Sequence, residues 1–81
     1  MDDTEILNRI HDLVASEHEI RAQVLAGTLS PAEEHERLTH LEEQLDQQWD
    51  LLRRRRAARR NGSDPDGVTE RPAAEVEGYL Q

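Results

Sequence analysis

Six of the eight residues from position 53 to 60 are arginine, in the run RRRRAARR. Clustered guanidiniums suit one kind of chemistry, the binding of phosphate or carboxylate through forked N–H donors. Two kinds of partner fit. One is an RNA backbone or an acidic protein, which the density of arginine favours. The other is acid elsewhere in the same chain, brought alongside by the fold. The rest of the composition favours the second. The 81 residues hold 18 acids against 10 arginines and no lysine, for a formal net charge of −8. A chain of that charge is repelled by phosphate backbones and anionic lipid. No aromatic side chain interrupts the arginine run.

The remaining reactive residue types form no recognisable constellation. His11 and His18 are seven apart and share a helical face, but that face points away from the apolar stripe. His35 and His40 are five apart, a spacing that does not align on a helix, so converging metal ligands are not expected. The chain has no Cys, hence no disulfide, thiolate nucleophile or Cys-based metal site. Ser16, Ser30 and Ser63 have no base-and-orienter partners in the pattern. No Gly-rich phosphate loop occurs. The expectation is a protein that is not an enzyme, with no catalytic residue, no cofactor and no metal. Glu17 and Gln48 stand at apolar positions, where polar residues commonly fix register rather than do chemistry. Glu33, Glu34 and Glu36 follow a turn. Acids at the tip of a hairpin could reach into the channel of a larger enzyme, but helix capping already accounts for Glu33 and Glu34.

Two helices must position these residues. Ile6, Ile10, Leu13, Glu17, Ile20 and Val24 recur at steps of four and three, which predicts a helix from about residue 2 to 26 with Leu7 and Val14 on one flank. Asp2, Asp3 and Glu5 lie in its first turn, at the positive end of the helix dipole. Gly27 provides a stop. Ser30, Pro31 and Glu33 then make a capping box with proline at the first helical position. A second helix follows over about 31–60, with Leu38, Leu41, Leu45, Gln48 and Leu52 as its stripe and Trp49 and Leu51 beside it. The turn, residues 27–30, is so short that the two helices must be antiparallel neighbours.

In such a pair, positions summing to about 57 face each other, because the turn is centred near residue 28. Arg54 then meets Asp3, Arg55 meets Asp2, and Glu17 comes near His40. The charge distribution agrees: residues 1–52 carry 13 acids and 3 arginines, and residues 61–81 carry 5 acids and 1 arginine. The arginine block therefore neutralises the acidic first turn and favours its own helix C-terminus. Arg56, Arg59 and Arg60 remain as surplus for a partner. The tail, residues 61–81, opens with NGSDPDG and reads as a flexible acidic segment. Val76, Tyr79 and Leu80 could share one side of a short docking helix, against the chain's own helices or a partner.

The stretches ILNRIHDLVASEHEIR, LSPAEEHERLTHLEEQLDQQWDLLRRRRA and RPAAEVEGYLQ together resemble a small family of uncharacterised actinobacterial proteins, a domain of unknown function. The resemblance spans nearly the whole chain, and LDQQWDLLRRRRA is its most specific part. It implies no activity, ligand or catalytic residue. Gln48 departs from the family pattern, in which Cys is expected, so a redox or metal role at that position is absent here. The G-x-L-S-x-x-E turn also resembles short helical-hairpin modules that mediate oligomerisation.

The sequence thus predicts an all-α, coiled-coil-like antiparallel two-helix hairpin. A domain this small needs a further source of stability, and without disulfides that source is self-association. A homodimer forming a four-helix bundle is expected, through Leu7, Ile10, Leu13, Val14, Ile20, Leu38, Leu41, Leu45, Trp49 and Leu52. The expected role is a cytoplasmic adaptor or regulator with an unknown protein partner and no membrane association. The alternative is an RNA- or ribosome-associated factor using Arg53–Arg60.

Overall fold

The computed structural model describes residues 2–80, with the Leu80 side chain outside the described residues. Three α-helices make up the architecture: α1 (Asp3–Leu25), α2 (Pro31–Arg60) and α3 (Ala73–Leu80), with a 3-10 turn at Pro65–Gly67. No strand occurs among the described residues.

Each helix boundary has a local cause. Asp2 caps α1 by accepting the Glu5 N–H at 2.8 Å. Gly27, at φ 77°, closes α1 in the left-handed conformation that an L side chain would strain. The Thr28 N–H then donates to the Gln23 carbonyl at 3.0 Å, the wrap-around bond of a Schellman closure. Ser30 starts α2 by accepting the Glu33 N–H at 3.2 Å. Pro31 takes the first helical position. The same closure ends α2: Gly62 sits at φ 75° and the Ser63 N–H donates to the Ala58 carbonyl at 2.8 Å.

Helix α2 is the spine. Its 30 residues extend roughly 45 Å, and α1, the 3-10 turn and α3 all pack on it. Among the described residues α1 and α3 do not pack on each other. The start of α1 lies beside the end of α2, with Ile6, Ile10, Leu51 and Leu52 in one buried cluster. Near the turn, Ile20, Leu29 and Leu41 form a second, flanked by Leu13, Val24 and Leu38. The two long helices are therefore antiparallel. The molecule measures 51 × 26 × 14 Å, a thin plate rather than a ball.

The tail differs from the sequence expectation. Residues 61–81 read as flexible, yet the tail returns along α2. Val68 packs against the Ile6–Leu52 cluster, and Val76 in α3 is 1% exposed. The physical reason is polar. Gln48, Asp50 and Arg55 are buried on α2 beneath the tail, and groups taken out of water need hydrogen-bond partners. The tail supplies their partners.

Candidate interaction site

The arginine block divides into two sets. Arg55 is 3% exposed, and each of its three guanidinium nitrogens donates inward. Its Nε donates to Asp3 Oδ1 at 2.8 Å, its Nη1 to the Pro65 carbonyl at 2.8 Å, and its Nη2 to Asp66 Oδ1 at 3.1 Å. One side chain thereby ties together α1, α2 and the tail. The guanidinium holds the Asp3 carboxyl below the usual carboxylate range, chiefly through that hydrogen bond, and Arg59 at 2.9 Å adds to it. The Arg55 guanidinium is held charged by the same bond.

Arg54 donates to the Thr69 carbonyl at 2.9 Å and lies 3.4 Å from Asp50. Asp50 is buried, and Arg71 of the tail binds it through both Nε, at 3.0 Å, and Nη2. The Arg71 hydrogen bond lowers the Asp50 pKa, against the cost of burial. Arg71 also stacks over the Tyr79 ring at 4.6 Å, so this mostly exposed aromatic completes the clasp. A third link joins Gln48 Nε2 to Glu70 Oε1 at 2.9 Å, and the same Glu70 oxygen accepts from Arg9 at 3.1 Å. Gln47 Nε2 donates to the Arg71 carbonyl at 2.8 Å. Gln48 Oε1 is buried with no donor among the described residues.

The second set consists of Arg53, Arg56 and Arg60. None has an ion pair among the described residues, and with Arg59 they line a shallow groove at the end of α2. Arg53, Arg56 and Arg60 follow Trp49 at steps of four, three and four, so all four residues share one side of the helix. That side faces away from the tail. Gln47 and Arg54, which touch the tail, are each two residues from a member of the row and hence nearly opposite it. On α1, Leu7 and Val14 likewise lie away from Arg9, which touches the tail. Trp49 (40% exposed), Leu7 (41%) and Val14 (40%) therefore form an open apolar flank with three free cations at one end.

Several sequence expectations change accordingly. Asp3 pairs with Arg55 and Arg59, a shift of one position from the expected Arg54–Asp3 and Arg55–Asp2 facings. Arg59 is therefore not surplus, and Arg53 is. Glu17 pairs with Arg21 at 2.7 Å, one helical turn on, rather than with His40. Of the residues expected at an oligomer interface, Ile10, Ile20, Leu41 and Leu52 are buried within one chain, and Leu13, Leu38 and Leu45 are half-buried against its core. Only Leu7, Val14 and Trp49 are open. Leu51, expected on the same flank, is buried on the tail side. Of the tail residues, Val76 docks on the chain itself, Tyr79 is mostly exposed, and Leu80 has its side chain outside the described residues. Sequence reasoning missed Asp50, Gln47, Glu70 and Arg71. No local pattern in the sequence marks them as partners, because each depends on a segment more than twenty positions away.

His11, His18, His35 and His40 are exposed, and no group of three or more His, Asp or Glu side chains among the described residues could hold a metal ion. The Ser16 hydroxyl donates to the Asp12 carbonyl and that of Thr28 to the Gln23 carbonyl, so both serve the backbone. No described helix is long and apolar enough to cross a membrane.

No solved structure matches the chain. The uncharacterized protein Mb0922c of Mycobacterium bovis is 52% identical over 77 residues, covering 95% of this chain and 88% of its own length. The uncharacterized protein Rv0898c of Mycobacterium tuberculosis matches with the same identity and coverage. The family model described as protein of unknown function, DUF2630, matches residues 2–81. With so nearly complete a match, the chain belongs to the DUF2630 family.

Proposed function

We propose that this protein is a non-enzymatic helical interaction module of the cytoplasm, which self-associates through the flank bearing Leu7, Val14 and Trp49. One observation carries the reading. The tail covers one side of the helix pair and leaves the other with three large apolar side chains, each about 40% exposed. A plate 14 Å thick has little interior of its own, and a second layer on the open side would bury this flank. The catalytically capable side chains support the non-enzymatic part. The hydroxyls of Ser16, Thr28 and Ser30 cap or bond the backbone, and the buried carboxylate Asp50 is neutralised by arginine.

Sedimentation equilibrium from low micromolar concentration upward tests the reading. The chain is expected to be a dimer, and Val14→Glu a helical monomer by circular dichroism. A folded wild-type monomer throughout the range would refute self-association.

A second reading, an RNA- or ribosome-associated factor, has the free row Arg53, Arg56 and Arg60 in its favour, now with Trp49 on the same side as a stacking surface. The acidic body, at −8 overall, opposes it.

A further inference from the structure

The side of α2 that carries the free arginines also carries an acid, in a definite order. Glu42 precedes Trp49 by seven residues and shares its face; Arg56 follows Trp49 by seven and shares it too. Glu42 is exposed and, like Arg56, has no ion pair among the described residues. Asp46, three residues before Trp49, is turned instead toward Glu77 of α3 and is not free for this face. The exposed face of α2 thus reads acid, tryptophan, base, with Trp49 at its centre. A surface of this kind is complementary to itself when reversed.

We propose that the occupant of the open flank is a second copy of this chain, docked antiparallel about a two-fold axis passing near Trp49. Under a two-fold axis, contacts are reciprocal: if residue i meets j, then j meets i. With Trp49 at the axis, Arg56 meets the partner's Glu42. The pair forms twice. Leu7 and Val14 of α1 line the rim of the same contact. A parallel arrangement would instead lay one row of arginines along the other and leave Glu42 facing its own copy, so charge selects the antiparallel one. Arg56 is then a register device of a symmetric assembly, and an RNA strand is excluded from the row while the dimer persists.

The inference rests on self-association through this flank, and the test separates the two. Self-association is measured by sedimentation equilibrium for the wild type, Arg56→Glu, Glu42→Arg, the double variant, and an equimolar mixture of the two single variants. Circular dichroism confirms that each is helical. Each single variant places like charges together twice in its own dimer, and self-association should weaken about tenfold at low salt. The double variant restores both pairs in one assembly. The mixture restores them in a heterodimer, because one chain supplies both acids and the other both bases. Recovery of wild-type affinity in both cases, fading at high salt, is the expected result. A wild-type dimer indifferent to all four changes would overturn the register and leave self-association standing. A wild-type monomer would remove both. Tight binding of oligouridylate by the wild type, lost in Arg56→Glu while dimer affinity is unchanged, would assign the row to RNA and overturn the proposal.

Discussion

Arg53 and Arg55 are two residues apart in a run of like charges, and their positions on the helix give them opposite roles. Arg55 is enclosed by Asp3, Asp66 and the Pro65 carbonyl, while Arg53, on the side of Trp49, has no ion pair among the described residues. Removing Arg55 leaves Asp3 beside a buried gap and frees the 3-10 turn. Arg55→Ala should lower the unfolding free energy by about 2–4 kcal/mol in urea titration, whereas Arg53→Ala should stay within about 0.5 kcal/mol. Equal effects of the two would show that the block acts only as diffuse charge. The sequence carried the pairing of this block with the first turn of α1, because a short capped turn dictates which residues face. It did not carry the partner of each arginine, because a shift of one position in facing exchanges buried for exposed.

Among the elements, α1 and α2 were legible from their caps. Gly27 and the Ser30–Glu33 box act locally, through bonds between residues three to five apart, and local chemistry is what a sequence displays. Helix α3 was not legible as a docked element, since its attachment depends on residues more than twenty positions away. Its contact with α2 contains an opposing pair of titrations. Asp50, lowered by Arg71, favours docking above the unfolded Asp value of about 3.9, and that contribution is lost as the pH falls through its folded value. Glu77 is raised, first by the neighbouring Asp46 carboxyl, then by burial and by the charges of Glu43 and Glu42. Its Oε1 is buried without a donor among the described residues, and a proton shared with Asp46 would provide one. Glu77 therefore favours docking fully below its unfolded value of about 4.3 and loses that contribution as the pH rises through its folded value. Amide exchange within residues 73–79 should slow as the pH falls from neutrality toward about 4.3, after correction for intrinsic rates, and quicken again below about 3.9. Glu77→Gln should remove the first phase and slow exchange at neutral pH. An unchanged profile in that variant would rule out the carboxyl pair as the cause.

At the scale of the whole molecule, the tail decides which surface is interior and which is free. It covers Leu51, Gln48, Asp50 and Arg55, and so turns a hairpin with two open sides into a plate with one. A chain ending at residue 60 exposes those groups. It should lose at least about 2 kcal/mol, near 10 °C in thermal midpoint for a domain of this size, as read by circular dichroism. A midpoint equal to that of the full chain would mean that the tail is a passenger. The tail also explains why one flank of the pair is left for a second layer, while the matching flank around Leu51 is already filled.

The sequence by itself determined that the chain is helical, where its two long helices begin and end, and that it is a DUF2630-type chain with no evident catalytic motif. These follow from periodicity and capping, which are written in neighbouring residues. Only the tertiary structure decided that Gln48, Asp50 and Arg55 are interior, that the tail supplies partners to all three, and that three of six arginines are left unpaired among the described residues. A charged residue is legible as polar wherever it stands. Whether it meets water or a counter-charge depends on which distant segment folds over it, and no local pattern records that.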